Sequence, residues 1–427
     1  MNWWRYLLFL CGQIGLMCLP RFFFQSNIEF ARQKVGPTEA DILFDLAIFN
    51  GIVLAFRVLD GIIDPVVGAM SDTWVRRGRE RRKILMYALL VPLVGLGMVF
   101  YSHAGLAPSL RWPLVTVGIF VFFLGYTIYG IPYWSLVSDY GGEDAGSRRL
   151  LSNLLGAGIL LATGVVAVAG PQLIQRLGYF AAAMWIAVPC TLLMLGPYFA
   201  QPKGMKAPAP HGKEPTLKEI VVQTIEHKRF LAVLIIFAGS QMSFTVMTAS
   251  ATTLAVEVLH GEVADATKLL TPFLLTAIPA FVGVPWLSRK FGWEAAVVAA
   301  SLLLGCVYAT TGLLGGSAFG LTPIETAALL FSLGGPMAAV LLGLEGEAVS
   351  ACAREKGGDA TSIYFGSLNL VVKAMNGVAG LITGLLVANE HYRLCGPAAG
   401  ILLALGCVGY FLVRPRGQAP AAPSPAT

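Results

Sequence analysis

The most regular feature of the chain is the alternation of long apolar runs with short polar segments. A helix that crosses roughly 30 Å of hydrocarbon at about 1.5 Å per residue needs about 20 predominantly apolar residues. The runs of that length cover approximately residues 4–24, 42–72, 84–103, 113–137, 150–170, 179–199, 230–255, 268–287, 294–315, 323–348, 361–386 and 395–413. The pattern therefore predicts an all-α membrane protein with twelve transmembrane helices.

The longest polar interruption divides these runs into six and six. It covers residues 200–229, is rich in Pro, Gly and Lys, and predicts a flexible cytoplasmic linker between an N-terminal six-helix bundle at 1–199 and a C-terminal six-helix bundle at 230–413. The low-complexity tail at 414–427 is expected to be disordered and cytoplasmic. The second and third spans are joined by WVRRGRERRK and the eighth and ninth by LSRKFGWE, a weak internal repeat. Two such bundles resemble the major facilitator fold.

Composition agrees with a multi-pass membrane protein, since 56% of the residues are hydrophobic, 13% are charged and the mean hydropathy is +0.70. When basic residues at span ends are counted with the adjacent loop, 21 of the 30 fall on one side of the membrane, 7 on the other, and Arg57 and Lys373 lie inside spans. The positive-inside rule places both termini in the cytoplasm, which suggests a plasma membrane such as the bacterial inner membrane. The net charge of +6 is therefore a topology signal, and nucleic acid is not an expected partner.

Three ionisable residues stand inside the second span. Arg57, Asp60 and Asp64 are spaced i, i+3, i+7 and share one helix face. Because ionisable residues at membrane depth are costly, we interpret the two carboxylates as a site for a coupling cation, which can be a proton or a monovalent metal ion. A structural ion-pair lattice with Arg57 and Lys373 is the alternative. Those two positive charges would balance the two aspartates.

The end of the same helix predicts a cytoplasmic gate. Gly68, Asp72, Gly78 and Arg79 form a G-x-x-x-D-x-x-x-x-x-G-R pattern, close to the short signature of the loop after the second major facilitator span. We expect Asp72 to pair with an arginine of this loop and to bridge or release the bundles during transport. The basic residues from Arg81 to Lys83 are interpreted as topology charges only.

Three segments carry a more specific resemblance. They are RVLDGIIDPVVG in the second span, YTIYGIPYWSLVSD in the fourth and YFGSLNLVVKAMNGVAG in the eleventh, and together they resemble the glycoside-pentoside-hexuronide:cation symporters, typified by the melibiose permeases. The resemblance implies that Asp60 and Asp64 bind the coupling cation, that Thr127 adds an oxygen, and that Lys373 sits beside the site.

Two positions depart from that family. Ile63 stands where sodium-coupled members have an asparagine just before the second aspartate, and it offers no oxygen. We therefore expect coupling to protons more than to sodium, which stays open as the alternative coupling ion. Gly130 stands where the family has a sugar-binding aspartate, and the first span has no acid, so ordinary glycoside recognition is not expected.

The predicted substrate cavity is polar but mostly uncharged. Its candidate lining is Tyr126, Tyr129, Gly130, Tyr133, Trp134, Gln241, Thr245, Asn369 and Asn376. This set suits a weakly polar or amphipathic solute, or one with an anionic group that Arg57 or Lys373 could meet, and helix packing is the alternative for each aromatic. Glu345 and Glu347, in the motif GLEGE after the tenth span, are interpreted as gate or cap charges near the cytoplasmic surface.

The sequence argues against other functional classes. The five histidines fall in or beside loops, no HExxH motif is present, and the seven cysteines show no paired spacing, so no enzyme activity, metal site or cofactor is expected. No filter-like repeat predicts a channel. We expect a monomeric transporter that moves a small solute with a cation by alternating access. A transporter of lysolipids or other amphiphiles, an exporter and a non-transporting sensor remain alternatives.

Overall fold

A computed structural model describes most of the chain and confirms the predicted fold class. The described residues are 2–36, 42–141, 145–201, 226–316, 320–355 and 361–415. Within them, 12 helical segments are long and apolar enough to cross a membrane, and the only extended pairing is one isolated bridge between Lys34 and Ile42. Most of the predicted linker, at 202–225, and the predicted tail from residue 416 lie outside the described residues. The predicted boundaries of the two bundles stay predictions.

The chain divides into two compact units, and the first is Met1–Glu214. Its helices form because each is a long apolar run, and two of the six spans are each built from two shorter helices. The described helices are α1 (Trp3–Ala31), α2 (Leu46–Arg76), α3 (Arg82–Ala88), α4 (Val91–Phe100), α5 (Pro108–Gly141), α6 (Ala145–Leu177), α7 (Tyr179–Leu193) and α8 (Gly196–Ala200). The third span consists of α3 and α4, and the sixth consists of α7 and α8.

The second unit is Pro215–Thr427. Each of its six spans contains one long α-helix. The described helices are α9 (Lys228–Thr253), α10 (Ala266–Phe291), α11 (Trp293–Thr310), α12 (Pro323–Glu355), α13 (Thr361–Ala388) and α14 (Cys395–Val413).

The two units repeat the same helix packing. In each unit the first span packs against the fifth and sixth spans, and the fourth packs against the second and third. In the first unit these pairs are α1 with α6 and α7, and α5 with α2 and α4. In the second unit they are α9 with α13 and α14, and α12 with α10 and α11. This agreement supports the weak repeat seen in the sequence and is typical of transporters built from two related halves.

The turn after the second span is also repeated. Gly78 follows α2 with φ +75°, and Gly292 follows α10 with φ +80°. A left-handed conformation at the end of a helix is one that glycine adopts at little cost, because it has no Cβ. The Gly78 amide bonds the Val75 carbonyl at 2.9 Å, which closes the last turn of α2. The predicted gate glycine at 78 therefore has a local structural reason.

Candidate functional site

The candidate site begins with an ion pair inside α2. Arg57 Nη1 donates to Asp60 Oδ2 at 2.7 Å, and the two residues are only 5% and 2% exposed. The i, i+3 spacing lets both side chains reach each other on one helix face. A buried charge of either sign is strongly unfavourable alone, so each member of this pair makes the other tolerable at membrane depth.

Thr127 links this pair to the second aspartate. Its side chain, on α5, lies within hydrogen-bonding distance of Asp60 Oδ1 and lies 3.2 Å from Asp64 Oδ1. A hydroxyl has one proton, so it can donate to only one of the two carboxylates at a time. Asp60 and Thr127 are buried, and Asp64 is half-buried. The structure therefore brings together four of the five residues that the sequence predicted for cation coupling.

Aromatic rings complete the surroundings of Arg57. Its guanidinium lies 5.4 Å from the ring centroid of Phe24 and 5.0 Å from that of Phe123, distances at which cation–π attraction operates. Its Nε has no hydrogen-bond partner in the described part of the chain. The arginine is therefore held by one carboxylate and two rings, and sequence reasoning did not identify either ring.

A small pocket opens against the same group. Its polar lining comes from Asp60 and Thr127, while the rest is apolar and includes Ile63. The other lining residues are Phe56, Leu59, Phe120, Phe123 and Leu124. Ile63 thus lines the same pocket as the Asp60 carboxylate and adds no oxygen to it.

Lys373, the fifth predicted residue, belongs to the second unit. It is 5% exposed and lies on α13 between Asn369 and Asn376, which share its helix face. Asn376 accepts a hydrogen bond of 2.9 Å from Thr245 of α9. Gln241, one turn before Thr245, donates to Glu345 of α12 at 3.1 Å. Four of the predicted cavity residues therefore lie on two helices that meet. Glu345, which was predicted at the cytoplasmic surface, is bound to one of these four, Gln241.

The aromatic residues of α5 divide into two groups. Tyr129 and Tyr133 are fully buried, and their hydroxyls donate to the backbone carbonyls of Met194 at 2.5 Å and Phe9 at 2.8 Å. Both tyrosines therefore fasten α5 to neighbouring helices of their own unit. This position gives no support to their predicted role in a substrate cavity.

The other aromatic residues of this stretch have looser contacts. Trp134 is half-buried and donates from Nε1 to Gln13 of α1 at 3.2 Å. Tyr126 is 7% exposed, with its hydroxyl 3.9 Å from the sulfur of Met17. A Cβ added at Gly130 would lie 3.4 Å from the Trp134 ring, so this position has room for a small side chain.

The predicted gate contains a tighter cluster than the sequence indicated. Arg81 is only 7% exposed and binds Asp72 at 2.8 Å, Asp139 at 3.0 Å and the Ser71 hydroxyl at 2.6 Å. The pairing of Asp72 with a loop arginine agrees with the prediction. The interpretation of Arg81 as a topology charge only is wrong, because its side chain joins α2, the start of α3 and the end of α5. Asp139 ends the motif YTIYGIPYWSLVSD, which was the one available signal for it.

The remaining gate candidates lie outside this cluster. Arg79 is exposed and stacks over Trp74, with its guanidinium 4.5 Å from the ring centroid. Gly68 is a half-buried residue within α2. Glu347 is exposed and accepts a hydrogen bond of 2.8 Å from Ser288, at the end of α10. Glu347 thus joins the eighth and tenth spans, much as the Arg81 cluster joins the second and fourth.

Comparisons with known proteins agree with this architecture. A search of curated protein sequences finds no match to the chain. The solved structure of the nucleoside transporter NupG superposes with a TM-score of 0.64 at 10% identity, covering 96% of this chain and 98% of NupG. A bacterial homolog of the human lysosomal transporter Spinster, in an inward-facing and occupied conformation, has a TM-score of 0.67 at 13% identity, covering 96% and 95% of the two chains. At these identities the structures establish the fold alone.

The family comparison is more specific. The sequence model for the family described as MFS/sugar transport protein matches residues 42–401. This match covers both units and includes every predicted site residue. It confirms the resemblance that the three motifs indicated and identifies an integral multi-pass transporter rather than an enzyme. The chain therefore belongs to the MFS/sugar transport protein family of the major facilitator superfamily.

Proposed function

We propose that this transporter couples the movement of a small solute to the binding of a cation at Asp60 and Asp64. The observation that carries the proposal is the contact of one hydroxyl, that of Thr127, with both carboxylates. Two acids on one face of a membrane-depth helix, joined by a polar group of a second helix, form a site whose geometry changes when one acid is neutralised.

The charge of the group bears on cation binding. Within the first unit, Arg57 contributes one positive charge, and Asp60 and Asp64 contribute two negative charges when ionised. Arg21 of α1 is a further positive charge near Tyr126, so the charges balance when both aspartates are ionised, and one bound proton or monovalent cation would change the net charge of the group. Asp64 is half-buried, whereas Asp60 is buried and binds Arg57, so Asp64 is the carboxylate that we assign to cation exchange.

Proton coupling fits the ligand set better than sodium coupling. Hard metal cations in proteins are held by several oxygen ligands. The pocket beside Asp60 is mostly apolar and has Ile63 in its wall. One oxygen of Asp60 binds Arg57 and the other contacts Thr127. A proton needs only one carboxylate.

The transport cycle that we propose is alternating access between the two units. The cation binds first, the solute binds next, and the units then rearrange to open on the cytoplasmic side. We further propose that the chain functions as a monomer in a bacterial inner membrane with both termini in the cytoplasm. The concentration of basic residues in the loops on one side supports this orientation.

The test is uptake by purified transporter in proteoliposomes, with the proton gradient and the sodium gradient imposed separately. A panel of radiolabelled neutral sugars, hexuronates, organic acids, nucleosides and lysolipids would identify the solute class. We expect accumulation driven by an inward proton gradient and little response to sodium. Accumulation of a lysolipid instead would identify the chain as an amphiphile transporter.

Asp64→Asn separates coupling from transport. The amide cannot exchange a proton, so we expect concentrative uptake to be lost while exchange of labelled for unlabelled solute persists. Asp265→Asn is the matched control, because Asp265 precedes α10 and pairs with the exposed Lys268 at 2.7 Å. Concentrative uptake of normal rate by the Asp64 variant would overturn the assignment.

A further inference from the structure

The motif GLEGE in α12 places its two acids in different surroundings. Glu347 is exposed and accepts a bond from Ser288 of α10. Glu345 is half-buried and accepts a bond of 3.1 Å from Gln241 of α9. Residues two apart on a helix point about 200° apart, so the motif separates a surface acid from an interior one.

Glu345 lies within the membrane-spanning part of its helix. The span of α12 is Pro323–Val349, so Glu345 lies inside it, about 6 Å along the axis from its end. Gln241 lies about 20 Å from the start of α9, and Asn369 about 12 Å from the start of α13. Gln241 and Glu345 meet in a hydrogen bond, and Asn369 lies two turns before Asn376, which bonds Thr245 one turn after Gln241.

The side-chain amides of Gln241 and Asn369 do not use all of their hydrogen-bonding capacity. Gln241 donates to Glu345, but its Oε1 has no partner among the described residues. The side chain of half-buried Asn369 likewise has no partner in the described ranges. Polar groups in membrane spans are normally paired with protein, water or ligand, because hydrocarbon cannot satisfy them. These two amides therefore indicate a face that water or a ligand reaches.

We propose that Glu345, Gln241 and Asn369 form a recognition subsite for a hydrogen-bond-donating group of the transported solute. An ionised carboxylate accepts strong, charge-assisted hydrogen bonds from hydroxyl and ammonium groups. In the first unit, position 130 of the fourth span is a glycine, and the acid of the first span, Glu29, pairs with Arg32 at 3.4 Å near the end of α1. In this chain the second unit supplies the carboxylate. The inference rests on the proposed transport function and deepens it.

The experiment uses a reporter cysteine at Thr248, which follows Gln241 by seven residues on the same face of α9. Thr248 is half-buried, and its hydroxyl bonds only carbonyls of its own helix. Thr248→Cys is made in a full chain whose seven cysteines are replaced by alanine. The rate of reaction with a charged, membrane-impermeant methanethiosulfonate is measured with and without each probe solute.

The probes separate the two sources of a donor group. D-glucose and D-mannitol supply neutral hydroxyls, ethanolamine and D-glucosamine supply an ammonium group, and propionate has neither. We expect at least one donor solute to slow the labelling. We expect Glu345→Gln to raise the concentration giving half-protection by about tenfold or more. Glu347→Gln, the matched control in the same motif, should leave it unchanged.

Three results would overturn the subsite. They are no protection by any donor solute, equal loss of protection in the two glutamine variants, and protection by propionate that survives Glu345→Gln. If the reporter chain is not monodisperse, the same probes are compared by the melting temperature of the native-cysteine chain and its Glu345→Gln variant. Labelling needs no ion gradient, so the protection measured at Thr248 does not depend on cation coupling at Asp64. A failure of the subsite would likewise leave the test of Asp64 unaffected.

Discussion

The two units share their helix packing but differ in the polar groups that they hold at membrane depth. In the first unit the group is ionic and lies on the second and fourth spans, where Arg57 binds Asp60 and Thr127 contacts both aspartates. In the second unit the group consists of hydrogen bonds between spans. Thr245 of the first span of that unit bonds Asn376 of the fifth, and Gln241 of the first span bonds Glu345 of the fourth.

The difference shows that the repeat preserves the apolar packing without preserving the chemistry. Close packing depends on the size and shape of many apolar side chains, so the repeated arrangement tolerates changes at single polar positions. A few polar substitutions can therefore give related bundles separate tasks. In the roles that we propose, the ionic group binds a coupling ion and the amide-rich group binds the solute.

The largest effect that distinguishes the two groups is expected from Arg57→Ala. It leaves the buried Asp60 without its ionic partner, which should reduce the free energy of unfolding by about 3–5 kcal/mol. Denaturant titration in mixed detergent micelles would measure it. Arg79→Ala removes an exposed arginine and should change the free energy by about 0.5 kcal/mol or less. The double variant Arg57→Ala, Asp60→Ala should recover part of the loss, and no recovery would argue against a specific pair.

A smaller loss is expected from Thr127→Val. The substitution keeps the shape of the side chain but removes the hydroxyl that contacts Asp60 and Asp64. Hydrogen bonds to charged groups contribute about 1.5–3 kcal/mol, and we expect a loss in that range by the same titration. Thr127→Ser retains the hydroxyl and is the control. Equal losses in the two variants would mean that the methyl group, rather than the hydroxyl, stabilises the unit.

Thr245→Val tests a hydrogen bond between α9 and α13 in the second unit. It removes the hydrogen bond to Asn376, and a neutral interhelical bond of this kind contributes about 0.5–1.5 kcal/mol. The control is Thr248→Val, since Thr248 bonds only carbonyls within α9. A loss as large as that of Arg57→Ala would remove the contrast between the units.

The smallest effect is expected from Ser288→Ala, although Ser288 itself is only 7% exposed. Its partner Glu347 is exposed, so water can replace the lost hydrogen bond, and the free energy of unfolding should change by about 0.5 kcal/mol or less. The matched change in the first unit is Ser71→Ala, which removes a bond to the buried Arg81 and should cost more, about 1–3 kcal/mol. Similar values for the two serines would show that the clusters are equivalent.

Particular residues show how far the sequence alone could lead. Asp60, Asp64 and Arg57 were predictable because charges are rare inside apolar spans and their spacing fixes a common helix face. Asp72 was predictable from a loop motif. Arg81 was not, because one buried arginine cannot be told from its exposed neighbours in a basic run. Tyr129 and Tyr133 resembled cavity residues, yet their hydroxyls bond backbone carbonyls, a role that no local pattern reveals.

By itself the sequence determined the class of protein, the twelve spans and the acidic face of the second span, because hydropathy and helical periodicity are local properties. Only the tertiary structure decided which polar groups meet. It joined Thr127 to the aspartates, made Arg81 the centre of a three-helix cluster, and separated Glu345 from Glu347 within one motif. The physical reason is that such contacts depend on how helices distant in the sequence pack together, and that packing is set by the whole apolar surface of each helix.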